Sequence, residues 1–423
     1  MRRLSLIAAG LGLLVLPGTA LAQDAGGWGN YKPKTFDTRI YGFVDAYTEK
    51  VSQTPAGVDD QGNTVWEENP YEFDVLNFNV MGQSTLHGRY KVFFNLASPG
   101  SGGSTSDAPL SIRNAWVEAP LAGGYLAFRA GKMYRRFGLY NEILDATPTF
   151  IGIEPPEIFD KDHLMVTRTT NLMVFGAVPV GATTLNWSVT TGNDERAAGA
   201  IPLGADANID LGGVLKLGSS FYTTGGAATP SRAVGEGSPR GGVANWMAED
   251  RYQVYGGYAQ LNRGGLTVQT EYWQAHHSGT RDEDAVMAMA DGGLSEAQME
   301  RFFTGGDPTK GVRTQAEYIV RASYIRAGYQ IAIGENRSIT PYLQTDYFSN
   351  PEIVASKSLG GDGEAGLSDD GAFYKYTAGV VLRPVPQVAM KLDGSAHHHQ
   401  YNGETVFYPE GRVSVSYMWQ LQD

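Results

Sequence analysis

Seven basic residues fall between positions 89 and 136: Arg89, Lys91, Arg113, Arg129, Lys132, Arg135 and Arg136. The same window holds two acids, Asp107 and Glu118. Guanidinium and ammonium groups gathered in this way attract and orient anions. The whole chain carries a formal charge of −12, so this concentration is local. It ends in GKMYRRFGLY (131–140), where Lys132, Arg135 and Arg136 stand among aromatic rings. The sign then reverses, with Glu142, Asp145, Glu154, Glu157, Asp160 and Asp162 against Lys161. A basic surface opposite an acidic segment sets up a transverse field across a narrow gap, and charged groups of this kind set ion preference. The competing reading is that the cations snorkel to a surface rim with only their stems buried.

The histidines form a second group. His276-His277 and His397-His398-His399 carry imidazoles of the kind that bind Zn²⁺ or Cu²⁺. Neighbours on an extended strand point to opposite faces, so neither run presents a ligand set and no metal is expected. His163 stands alone in the acidic segment. Asp362, Glu364, Asp369 and Asp370 in GGDGEAGLSDDGA (360–372) lack EF-hand spacing and read as a solvated acidic loop. Neither G-x-S-x-G nor H-E-x-x-H occurs. GEGSPRGG (235–242) lacks the Lys-Ser/Thr of a phosphate loop. Cysteine is absent, which excludes a thiolate nucleophile, a disulfide framework and a Cys metal site. No catalytic residue and no cofactor is expected, and the acidic balance argues against nucleic acid as a partner.

The elements that must position these charges begin after a leader. Arg2 and Arg3 precede an apolar run, Leu4–Leu16, and Ala20-Leu21-Ala22 makes an A-x-A cleavage site. Residues 1–22 are therefore expected to be a cleaved secretory signal. Its removal leaves 401 of 423 residues and, with two arginines gone, a charge of −14. No other stretch has the length of a membrane helix.

Beyond the leader, the chain alternates with a period of two. In GRYKVFFNLA (88–97), Tyr90, Val92, Phe94 and Leu96 share one face, while Arg89, Lys91 and Asn95 share the other. YEFDVLNFNVMG (71–82), YLAFRAG (125–131), KYTAGVVLRP (375–384), VAMKLDGSAH (388–397) and RVSVSYMWQL (412–421) repeat the pattern. These are strands, about the 9–11 residues that cross a bilayer at a tilt. Short turns (83–87, 121–124, 179–182, 263–265, 384–387) alternate with longer loops (51–70, 98–109, 132–168, 192–206, 225–250, 276–313, 350–372, 399–408). That parity requires one further hairpin within 207–224, turning near Gly212-Gly213, and gives 16 strands. Backbone in hydrocarbon must satisfy its own hydrogen bonds, so such a sheet closes into an all-β transmembrane antiparallel barrel.

An aqueous lumen is expected, with Arg89, Lys91 and Arg129 on its stripe. Tyr41, Tyr47, Tyr255, Tyr258, Tyr272, Trp273, Tyr374, Tyr376, Tyr417 and Trp419 are candidates for interfacial girdles. LSEAQMERFF (294–303) reads as a short helix with a Ser295–Gln298 capping box. The 37-residue loop 132–168 carries apolar residues at its middle, ATPTFIGIEPP (146–156). A loop folded into the barrel would bury them, and the reading is an inward constriction loop.

IRNAWVEAPLAGGYLAFRAGKMYRRFGLYNE (112–142) resembles the phosphate-selective porins and related Gram-negative outer-membrane porins, in its Arg-x-Ala-aromatic strand and its Gly-Lys-aromatic corner before the constriction loop. YTAGVVLRPVPQVAMKLDGS (376–395) looks like the penultimate hairpin of that superfamily. The resemblance implies a homotrimer of 16-stranded barrels, with Lys391 and Asp393 on the channel side. The expectation is a leader (1–22), a periplasmic N-terminal segment (23–38) and an outer-membrane barrel (39–423) in contact with lipid and lipopolysaccharide. It would pass small hydrophilic solutes and prefer anions. The alternatives are a substrate-specific oxyanion channel of the phosphate type, and a non-conducting barrel enzyme or surface-binding protein.

Overall fold

The computed structural model describes residues 36–99, 111–122, 125–144, 146–159, 169–192, 201–224, 243–244, 246–290, 294–352 and 368–421. Residues 1–22, read above as a leader, Asp107, Asp145, Asp160, Asp162, His163, Asp362, Glu364 and the stretch 235–242 lie outside these residues.

Strand β1 (Phe36–Val51) pairs antiparallel with β4 (Glu72–Leu86) on one side and β19 (Glu404–Leu421) on the other. From β4 a meander runs through β5 (Tyr90–Pro99), β6 (Ser111–Ala122), β7 (Leu126–Met133), β8 (Thr169–Val180) and β9 (Thr183–Gly192). It continues through β10 (Leu203–Leu211), β11 (Leu215–Thr223), β12 (Met247–Arg263), β13 (Leu266–Arg281) and β14 (Gln315–Tyr329). β16 (Arg337–Ser349), β17 (Ala372–Val385) and β18 (Val388–Tyr401) lead back to β19. β15 (Ile331–Gly334) extends β14 beyond Gln330, and the two count as one strand of a closed 16-stranded antiparallel barrel.

Alternation decides which side chains face inward. On β5, Tyr90, Val92 and Phe94 are exposed on the outer surface, while Asn95 and Ala97 are buried inside. On β19, Phe407, Val413, Val415 and Tyr417 face out; Tyr408, Glu410, Arg412, Ser414 and Ser416 are buried. Every second residue thus meets either the apolar surroundings or the polar interior, as the two-residue period requires. The required hairpin is present as β10–β11, turning at Gly212 and Gly213, whose φ angles of 63° and 73° suit a tight primed turn. A further turn at Glu335-Asn336 follows β15.

The structure shifts several expectations. β1 starts at Phe36, so residues 36–38 belong to the barrel; Phe36 pairs with Leu86. The loop 51–70 contains a hairpin, β2 (Gln53–Val58) with β3 (Thr64–Glu68). The loop after β13 holds two helices, α1 (Glu283–Ala290) and α2 (Glu296–Phe302). The α2 capping box is formed by Ser295 and Gln298 in both directions. Tyr255, Tyr272, Tyr374, Tyr376 and Tyr417 are exposed outward. Tyr258 and Trp273 are not girdle residues, because each falls on the inward parity and is buried.

The interior is not uniformly polar. Phe137, Tyr140, Phe150, Ile158 and Phe159 from the segment after β7 pack with Tyr222, Tyr252, Tyr258, Trp273 and Tyr324 of β11–β14. Trp246, Val286, Met289, Phe302 and Phe303 extend this core at the loop end. One side of the barrel is therefore filled, and burial of this apolar surface holds the segment in place.

Candidate functional site

β7 ends at Met133 and β8 begins at Thr169, which sets the segment between them at 134–168. Its first corner is Phe137-Gly138. Gly138 has φ +64°, and a Cβ there would collide with Glu271 Oε2. Only glycine lets the chain turn this close to the wall. Phe137 then packs on Trp273 with ring centroids 4.5 Å apart. Leu139 N–H donates to Glu271 Oε1 (3.1 Å), which also accepts from the Tyr324 hydroxyl (2.8 Å).

The seven candidate cations do not form one group. Arg129 lies buried on the inner face, and its Nε and Nη2 donate to Glu118 Oε2 at 3.1 and 2.8 Å. Lys91 Nζ holds the other oxygen of Glu118 at 2.9 Å. Arg136 meets Glu142 at 3.3 Å, and Arg129 Nη1 reaches the same carboxylate at 3.5 Å. Aromatic faces hold both guanidiniums: Arg129 lies 4.2 Å from the Trp116 centroid, and Arg136 4.3 Å from Phe175. Arg135 points elsewhere, fully buried, donating to Thr190 Oγ1 (2.9 Å) and lying over Tyr222.

The other three stand apart. Lys132 has outward parity, is exposed, and donates to the Ile112 carbonyl at 2.8 Å, so it belongs to the rim. Arg113 sits at a bulge: Asn95 pairs with Asn114 while Leu96 pairs with Ile112. That extra residue explains why neither face of this strand reads as cleanly apolar. Arg89 is in the turn before β5, its N–H donating to the Leu86 carbonyl, and not on the inner stripe.

A second set of charges, on β14 and β16–β19, grips the same segment. Lys391 Nζ donates to the carbonyls of Thr147 (2.6 Å) and Gly152 (2.7 Å). Arg383 Nη2 donates to Pro148 O (2.5 Å), and Arg326 Nη2 to Glu154 O (3.2 Å). Two wall carboxylates accept from its backbone: Asp393 from Ile153 N–H and Asp346 from Glu157 N–H, both at 3.2 Å. Lys375 pairs with Glu157 (2.5 Å), and Arg412 pairs with Glu154. The segment's acids thus divide between the walls: Glu142 meets the expected cations, while Glu154 and Glu157 meet cations of β17 and β19. Burial pushes the Glu154 carboxyl up to about 8, against the pull of Arg412 and Lys375, although a third of its side chain stays exposed.

The sequence signal for this second wall is period-two parity: Lys375, Lys391, Asp393 and Arg412 all fall on inward positions. Of the histidines, His397 bonds to Glu410 Oε2 (2.7 Å) and stacks on Tyr408, and His277 bonds to Asp250 (2.9 Å) between Tyr252 and Tyr318. His276 stacks outside on Tyr255.

No protein-family model and no curated protein matches the chain. Solved structures do. An anion-selective porin from Comamonas acidovorans aligns with TM-score 0.53 and 13% identity over 91% of this chain and 100% of its own. An OmpF–daunomycin complex from Salmonella typhi gives 0.53 and 10%, over 92% and 99%. The outer-membrane channel DcaP of Acinetobacter baumannii gives 0.51 and 10%, over the same shares. The chain has the fold of these Gram-negative outer-membrane proteins.

Proposed function

We propose that this protein is an outer-membrane porin: a water-filled channel for passive diffusion of small hydrophilic solutes, with a weak preference for anions. The observation that carries the reading is a closed 16-stranded barrel whose inner face bears paired charges and holds a segment against its wall. In this reading residues 134–168 are the constriction loop and the loop end faces outward. The leader 1–22 is cleaved on export, and three copies associate, each conducting, with lipid and lipopolysaccharide around them.

A local count supports the anion preference. On the β5–β7 side, Lys91, Arg129 and Arg136 stand against Glu118 and Glu142, a surplus of one positive charge on that wall. Near low-dielectric walls a single charge shifts the relative entry of small ions. Planar-bilayer recording in a KCl gradient tests it, with a modest reversal potential toward chloride expected. A protein that migrates on gels as a heat-modifiable barrel and never conducts would overturn the porin reading. Cation preference would overturn only its electrostatic part. Saturation of the conductance at low phosphate would favour the oxyanion-specific channel instead.

A further inference from the structure

The two carboxylates beside Arg129 are held very differently. Glu118 is buried and takes three donors at 2.8 to 3.1 Å, two of them within the roughly 2.7–2.9 Å of charge-assisted bonds. Glu142 is carried by a short helical turn, Asn141–Ile143, and its side chain is 34% exposed. Its contacts with Arg129 and Arg136 are 3.3 to 3.5 Å, beyond that range. Both arginines have holds besides Glu142: Arg129 lies over Trp116 and Phe175 and bonds Glu118, and Arg136 lies over Phe175. The Phe93 ring stacks beside this group on Trp116 at 5.2 Å.

We propose that Arg129 and Arg136 form a subsite for the carboxylate of a small organic anion, and that Glu142 occupies it as a tethered competitor. The inference rests on the channel reading. A permeating carboxylate would displace Glu142 toward the lumen and take the same two guanidiniums. Its apolar tail would lie along Phe93. No bond is made or broken; one carboxylate exchanges for another. The loop therefore keeps the subsite from retaining its solute, since every departing anion is replaced at once.

The test uses the full-length trimer in planar bilayers, with benzoate added to a KCl background and benzamide as its uncharged counterpart. Glu142→Gln should lower the benzoate concentration that half-blocks the chloride current about fivefold. Benzamide should do nothing to either protein. Arg136→Gln should abolish the benzoate effect in the Glu142→Gln background. If Glu142→Gln does not assemble, Glu142→Asp, which withdraws the carboxylate by one methylene, should shift the block in the same direction. Unchanged benzoate block in a conducting variant, or equal block by benzamide, overturns the proposal. A parent barrel that does not conduct at all overturns the channel reading beneath it.

Discussion

The barrel uses inward-facing cations in two ways, on two walls. On β5, β7 and the corner after β7, Lys91, Arg129 and Arg136 interact with side-chain carboxylates and aromatic faces, and part of the group meets the lumen. On β14 and β17–β18, Arg326, Arg383 and Lys391 donate to main-chain carbonyls of the inner segment. Those carbonyls lie in no sheet, and buried polar backbone needs partners. One wall therefore presents charge to the lumen, while the other uses its charge to hold a loop. Residue type alone does not separate them; what each cation faces does.

The sharpest way to break this contrast is Arg129→Met. It leaves Glu118 buried with only Lys91 as counter-charge, and breaking a buried pair costs about 3–5 kcal/mol. The temperature at which the folded gel band is lost should fall clearly. Next is Lys391→Met, which strips the donor from Thr147 O and Gly152 O at about 1–3 kcal/mol each. The distinguishing expectation is noise: the loop loosens, so single-channel current should fluctuate more, with the reversal potential little changed. Arg136→Gln should do the reverse. Its pair is partly exposed, so stability should change by about 1 kcal/mol or less, while the reversal potential moves toward zero.

A smaller effect is expected from pH. Burial pushes the Glu154 carboxyl up to about 8, against the pull of its partners Arg412 and Lys375, so its proton is lost as pH rises through that range. Raising pH through about 8 adds a negative charge beside the lumen, so chloride preference should weaken there, measured as reversal potential against pH. Smallest of all is Lys132→Glu. Its side chain faces outward, so ion selectivity should not change.

Lys132 also marks the limit of what the sequence reveals. The barrel is legible because strand parity is a local property: Tyr90, Val92 and Phe94 announce an outer face by their spacing. The β10–β11 hairpin follows from counting, and the α2 cap from Ser295 and Gln298. Parity also separates Arg129 from Lys132 once the strand end is known, but GKMYRRFGLY hides where that end falls. The bulge at Arg113 has no local signature, because it arises from pairing with β5. The partners of Glu154 and Glu157 lie more than two hundred residues away, on Lys375 and Arg412. No spacing within 132–168 encodes that meeting. The aromatic core against β11–β14 is half visible, in the apolar stretch 146–156. Its receiving wall includes Tyr258 and Trp273, whose residue types suit a girdle equally well.

The seam at β1 has a consequence for how the molecule is made. Ile40 lies opposite Leu421, so the pairing that closes the sheet joins nearly the two ends of the chain. Contacts so distant in sequence are slow to form, since the entropy of joining distant segments is lost before the contacts stabilise anything. Until the last strand arrives, β1 and β4 through β18 form a curled sheet with unpaired N–H and C=O groups along β1 and β18, which hydrocarbon does not tolerate. Assembly must therefore shelter those margins until β19 docks. A chain interrupted within its last twenty residues should be lost to aggregation or proteolysis, never becoming a leaky pore.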